Sequence, residues 1–203
     1  MSRPADAPTK SNLLKLQKQL AFALEGFELL EQKRQILTLE LVRRLERARE
    51  AERRVAEALE QAHAALREAT LDSGSEALDR AALGAGVDHA VSISDERLMG
   101  LRLPKVRLEI LGGRIPLGFA GTSPSADVAQ QRFVAALPLF AELAELQTAI
   151  QRLSRELRKT QRRCNALTKI FIPECRQAIH HITGALEERE RESFVDRKLR
   201  AQG

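Results

Sequence analysis

The sequence predicts a mainly α protein: a long antiparallel two-helix coiled coil with a small insertion that contains a β-hairpin. Three observations predict it. Two segments of the 203-residue chain place apolar residues at alternating steps of three and four, the spacing that keeps one helical stripe facing a partner helix. A stretch of different pattern separates the two segments, long enough for the second to fold back on the first. The composition, 30% charged and 3% aromatic with neither Trp nor Tyr, suits aliphatic seams better than a globule built around large rings.

Residues 1–8 contain Pro4 and Pro8 and no periodicity, and are expected to be a flexible lead-in. Thr9 or Ser11 then offers a helix cap. Helix one is expected over residues 9–71. Its apolar series runs Leu13, Leu16, Leu20, Ala23, Phe27, Leu30, Arg34, Leu37 and Leu41, with Arg34 alone out of character. It continues through Leu45, Ala48, Val55, Leu59, Ala62 and Leu66. Such a helix would be about 90 Å long at 1.5 Å per residue.

Asp72 to Ser75 supplies turn formers that end helix one. Residues 72–125 form the predicted insertion, with short helical pieces near Glu76–Leu83. Leu101–Ile110 alternates apolar and polar residues, and Gly112-Gly113 and Arg114–Leu117 follow, so a β-hairpin is expected at about 101–117. Pro104 and Pro116 confine it to edge or irregular pairing.

Thr122–Ser125 opens helix two, expected over 126–200. Its seam reads Leu143, Leu146, Ile150, Leu153, Leu157, Thr160, Cys164, Leu167 and Phe171. Pro138 and Pro173 predict a kink each. Both helices contain steps of 4, 4 and 3, at Leu37–Ala48 and at Leu167–Ala178, which would unwind a supercoil locally. Placing the two irregularities side by side predicts a register in which paired residue numbers sum to about 216. Val128, Phe133, Leu137 and Phe140 would then lie beyond the end of helix one.

The formal charge is +5, from 33 basic and 28 acidic residues, and both signs are interleaved as on solvated helix surfaces. The most apolar stretch, Val134–Leu146, is broken by Pro138, Glu142 and Glu145, and falls short of the roughly 20 residues of a membrane span. The N-terminus has no apolar core of a secretion signal, so a cytosolic chain is expected. Cys164 and Cys175, eleven residues apart on a helix, stand about 16 Å apart along its axis, too far for a disulfide. They are expected as small seam residues.

Chemistry is sparse. No Gly-rich phosphate loop with its Lys is present, so ATP hydrolysis by this chain alone is not expected. His180-His181, near Glu174 and Cys175, point about 100° apart on a helix and do not make a metal pair; one is expected near the seam and one on the surface. Neither a metal nor a cofactor is expected. Arg152, Arg155, Arg158, Lys159, Arg162, Arg163 and Lys169 form a basic run with Glu156 its one acid. It reads as a solvated face, as a positive belt against an acidic partner, or as a surface for phosphates. Glu187–Glu192 holds an expected Glu187–Arg191 pair and the like-charged Glu188 and Glu192.

Two motifs carry a resemblance. Pro8-Thr-Lys-Ser-Asn-Leu-Leu-Lys-Leu16 is similar to the opening of the D subunit of the V/A-type rotary ATPases. Thr160-Gln-Arg-Arg-Cys-Asn-Ala-Leu167, with Ile172-Pro173 and Leu186-Glu-Glu-Arg-Glu-Arg-Glu-Ser-Phe194, resembles the closing helix of the same family. Cys164 and Thr168 depart from the Val and the acid of the pattern, and the sequence after Phe194 departs from its basic ending. The resemblance implies a non-catalytic central-stalk subunit that couples ATP synthesis or hydrolysis to ion transport, at the cytoplasmic face of a membrane and without inserting into it. It implies as partners the A and B subunits of the catalytic head, the F-type stalk subunit and the funnel subunit that joins the stalk to the membrane ring, and it implies no nucleic acid. By motif position, Arg162, Arg163, Asn165, Pro173, Glu187, Glu190 and Arg191 are the candidates for head contact or coil geometry. The alternatives are the stalk protein of an export ATPase, which lacks the β-insertion, and a basic coiled-coil scaffold or nucleic-acid-binding protein.

Overall fold

A computed structural model describes residues 7–84, 89–111 and 123–201. Its elements are helix α1 (Lys10–Ser73), helix α2 (Ser75–Gly84), strands β1 (His89–Leu98) and β2 (Leu101–Ile110), helix α3 (Pro124–Ala166), a π turn (Leu167–Phe171) and helix α4 (Ile172–Ala201). They divide into two compact units. A terminal unit comprises Met1–Ile36 and Leu157–Gly203, and a central unit comprises Leu37–Glu156. Mainly helical architecture with a small antiparallel hairpin matches the fold class read from the sequence.

The helix boundaries follow local chemistry. Thr9 caps α1, its hydroxyl accepting the Asn12 N–H at 3.3 Å. At the other end Gly74 has φ +79°, and its N–H bonds to the Thr70 carbonyl at 3.0 Å. That left-handed residue closes α1 where a side chain would be strained. Ser123 precedes α3, and Pro124 sits at its first position, where a missing N–H costs nothing. The two helix ends are tied together: the Ser123 N–H donates to Ser73 Oγ at 3.0 Å, and Ser125 Oγ donates to Asp72 at 2.7 Å.

Within the central unit α1 and α3 pack antiparallel through small residues. Ala65 and Ala69 cluster with Ala126 and Ala129, and Ala48 and Ala51 with Leu146. The pairs Arg54–Glu142, His63–Phe133 and Asp72–Ser125 have residue numbers that sum to 196, 196 and 197. In the terminal unit Lys10–Glu190 and Pro8–Arg189 give 200 and 197. The expected sum near 216 is therefore wrong by about five helical turns.

The error has a definite source. Arg44, 8% exposed, occupies the seam, whereas Leu45 is 39% exposed. The seam of α1 runs Leu37, Leu41, Arg44, Ala48, Ala51, Val55, and continues through Ala62, Ala65 and Ala69, so α1 keeps its heptad and contains no irregularity to align. Only the other strand is irregular. The step from Cys164 to the next fully packed position, Ile172, is eight residues where a heptad allows seven, and the π turn holds the extra one. The Ile172 N–H reaches back to the Leu167 carbonyl, the i−5 bond of a π turn. The start of α3 is consequently covered by α1, and the end of α4, from about Ser193, has no α1 residue opposite it. Phe194, Val195 and Leu199 are exposed there.

The hairpin also differs from expectation. Leu101–Ile110 is a strand, but it pairs with the preceding segment: His89 lies opposite Ile110 and Leu98 opposite Leu101. Gly112–Leu117, where a second strand was expected, lies outside the described residues, as do residues 1–6 of the lead-in. Met99 (φ 48°) and Gly100 (φ 79°) make the two-residue turn, and positive φ at both positions matches the right-handed twist of the strands.

Pro138 lies inside α3, with helical residues on both sides. An 18-residue window within the helical stretch Pro124–Arg200 reaches a mean hydropathy of 1.4, long and apolar enough to cross a membrane by length and composition, and 17% of it is buried. This differs from the sequence expectation, in which the charges of Glu142 and Glu145 end the apolar run. In the fold Ala126, Ala129 and Leu146 of this region pack against α1, and Ala136 is buried.

Candidate partner-binding surfaces

The surfaces of the central unit are organised by the hairpin. Alternate residues of β2 turn their main-chain groups away from β1, and α3 meets them. The Val106 N–H donates to the Glu145 carboxylate at 2.8 Å, and Arg152 donates to the Arg102 carbonyl at 2.8 Å. Pro104 stands between them on that same edge, where it withholds no ladder hydrogen bond. Leu103 and Pro104 are buried, while β1 is almost wholly exposed, with Ile93 at 71%. Arg44, held by Glu40 at 2.6 Å, also reaches Glu96 of β1 at 3.9 Å. A buried cation keeps its place in an alanine-lined seam because carboxylates from its own helix and from the hairpin compensate it.

In the terminal unit the basic residues of α3 stand opposite the seam. Thr160 and Cys164 are buried, whereas Arg158, Lys159, Arg162 and Arg163 are exposed, spread over about 140° of the helix at 100° per residue. Together with Lys169 they make no ion pair among the described residues. Unpaired cations on one face raise the local positive potential, which favours an acidic partner surface. Arg152 and Arg155, the first members of the run, belong to the central unit.

The other candidate residues scatter along the outside of the terminal unit. Asn165 is exposed and accepts from Gln161 at 3.1 Å. Pro173 is exposed in the first turn of α4. Glu187 and Glu190 line a small groove with Leu13, Leu14, Thr183 and Leu186, and Glu190 pairs with Lys10 at 3.0 Å. Arg191 pairs with Glu188 at 3.4 Å, where the sequence suggested Glu187. Both His180 and His181 are exposed, and Ile182 occupies the seam instead. The extra residue of the π turn explains this, since an uninterrupted heptad from Thr160 through Leu167 and Glu174 would have placed His181 inside.

Arg34 is the residue that stands out of character in the apolar series of α1. It donates both Nε and Nη2 to the two oxygens of Glu31 on its own helix. That hydrogen bond holds the Glu31 carboxyl below its ordinary range and the Arg34 guanidinium above its own. Burial, reinforced by the Glu31 charge, pushes the Cys164 thiol up, and both cysteines are buried, as small seam residues should be.

Residues 12–201 match the family described as the D subunit of ATP synthase. The chain belongs to that family. It is 36% identical over 188 residues to the D subunit of a V-type ATP synthase of Thermotoga neapolitana, covering 93% of each chain. It is 37% identical to a V-type ATP synthase D subunit of Treponema pallidum, the one numbered 2, covering 97% of this chain and 94% of that one. The D subunit of an A-type ATP synthase of Methanosphaera stadtmanae is 35% identical, with 95% and 91% covered. Both arms and the hairpin fall inside these matches, so the family relation embraces the surfaces described above.

Proposed function

We propose that this chain is the non-catalytic central-stalk subunit, the rotor axle, of a V/A-type rotary ATPase. It couples ATP synthesis or hydrolysis in the A/B head to ion transport by the membrane ring. Membership of the D-subunit family across nearly the whole chain is the observation that carries this reading. The partners are the A and B subunits, the F-type stalk subunit and the funnel subunit, and the chain works at the cytoplasmic face of the membrane as a peripheral part of the complex.

The physical role follows from the surfaces. Coupling by rotation requires contacts whose free energy differs between rotor angles. The unpaired face Arg158, Lys159, Arg162 and Arg163 supplies long-range attraction to acidic groups around it. The end of α4 beyond the start of α1, with Phe194, Val195 and Leu199 exposed, supplies apolar area that a surrounding head would cover. Arg162 and Arg163 are assigned to head contact, Asn165 and Pro173 to coil geometry, and Glu187, Glu190 and Arg191 to the join between the α4 tip and the head.

The test is affinity capture of the tagged chain from gently solubilised membranes of its own organism, with mass-spectrometric identification. Recovery of A-, B- and F-type subunits is expected, and an Arg162→Glu/Arg163→Glu double variant should lose A and B before it loses F. Recovery of export-apparatus or nucleic-acid-associated proteins without an A/B head would overturn the assignment.

A further inference from the structure

We propose that the terminal unit contains a flexible joint, built at one height into both of its strands, formed by Gly26 on α1 and by the π turn with Pro173 on the other. The pair sums of 197 and 200 in this unit place Gly26 opposite residues 171–174, so the two features face each other.

Each strand is weakened there by its own chemistry. The π turn Leu167–Phe171 contains no buried residue. Pro173, two residues after its last member, lacks the N–H that would bond to the Lys169 carbonyl in a regular helix, and its ring would crowd that carbonyl. The wider π turn relieves the crowding at the cost of poorer hydrogen-bond geometry. Thr168 Oγ donates to the Cys164 carbonyl at 2.9 Å, a side-chain bond of the kind that bends helices.

Gly26 is the one glycine inside α1, which has no proline. Neither a left-handed φ nor close packing accounts for it, since a Cβ built on it would meet nothing within 4 Å. What the glycine does is lower the helical stability of its turn about fivefold relative to alanine. Packing is kept at Ala23 on α1 and at Cys164 and Ile172 on the other strand, so the stretch without buried side chains there is the π turn itself. Bending and twisting of the terminal unit therefore concentrate in a single turn.

This inference does not depend on the axle reading and is tested apart from it, by amide hydrogen exchange with mass spectrometry on the full-length chain. In the wild type, residues 24–30 and 168–176 should exchange about tenfold faster than the helical flanks 14–22 and 157–164. Gly26→Ala should slow exchange about fivefold, and do so across to 168–176 as well as on α1. Pro173→Ala should reciprocally slow 24–30. Gly184→Ala, which replaces another uncrowded glycine facing the intact first turns of α1, should change only its own turn. Uniform exchange along the wild-type unit, or protection by Gly26→Ala confined to α1, would overturn the joint.

Discussion

The central and terminal units are built from the same two strands, yet they are held together differently. In the central unit the seam of α1 is mostly alanine, from Ala48 to Ala69, which lets the helices approach closely. Cross-strand side chains tie it at several heights, with Arg54 on Glu142 at 2.5 Å, Arg132 on Gln61 at 3.1 Å and Ser125 on Asp72. The hairpin then adds a second layer edge-on to α3. In the terminal unit the seam mixes Leu16 and Ala23 with Thr160, Cys164, Cys175 and Ile182, a π turn interrupts it, and its cross-strand ties, Lys10–Glu190 and Arg189–Pro8, are exposed. The contrast teaches that seam chemistry can give two units of one chain different stiffness: small residues and repeated ties for rigidity, polar and irregular positions for compliance.

The largest test of this contrast is Leu153→Ala. Leu153 is fully buried in the central unit, and its truncation should cost about 3 kcal/mol by urea denaturation. A loss below about 1 kcal/mol would mean that the central seam is not the tighter one. Next is Arg44→Ala, which leaves Glu40 without its partner inside the seam. A loss of about 1–3 kcal/mol is expected, with faster hydrogen exchange in β1 because the tie to Glu96 goes too. Glu145→Ala strands the Val106 N–H and should cost about 1–2 kcal/mol, whereas Glu145→Gln, which keeps an acceptor oxygen, should recover most of it. Equal effects from both substitutions would show that the hairpin is not held by that bond.

A gain is expected at the hairpin turn. Met99 sits at φ 48° with its side chain 44% exposed, so Met99→Gly should add about 0.5–1 kcal/mol of stability, read as a rise in Tm. The smallest effect belongs to the terminal unit. The Glu31 carboxyl is depressed by its hydrogen bond to Arg34. A depressed carboxyl contributes stability above its unfolded pKa and loses it as the pH falls through the folded value, here below about pH 4. Exchange in the turn around Glu31 should quicken over that window in the wild type, and not in Arg34→Gln.

Much of this was legible in the sequence, and the failures follow a rule. The seam of α1 was correct from Leu13 to Leu41, where leucines mark it, and went astray at Leu45, Leu59 and Leu66. In those turns burial belongs to Arg44, Ala62, Ala65 and Ala69. Hydrophobic periodicity weights large residues, and a close-packed alanine seam with one compensated arginine gives it little to follow. The hairpin strand Leu101–Ile110 was legible from alternation, but its partner was not, because His89–Leu98 alternates weakly and its turn, Met99-Gly100, is not a common hairpin pair. The candidate residues were found by motif, whereas Arg44 and Glu145 were missed; the position of Arg44, one heptad after Leu37, was the available signal.

The π turn has a geometric result beyond softness. One added residue, absorbed by the wider turn, moves every later seam position on by one number, so that Ile172, Cys175 and Ile182 are buried where Phe171, Glu174 and His181 would otherwise be. Glu187, Glu190 and Arg191 thus point where the seam phase kept by the turn sets them, and straightening Leu167–Phe171 into regular α-helix without removing a residue would turn that charged tip by about a quarter circle. The sequence of this strand works like a geared shaft with a fixed phase offset: the five-residue π turn sets the angle at which the far end is presented.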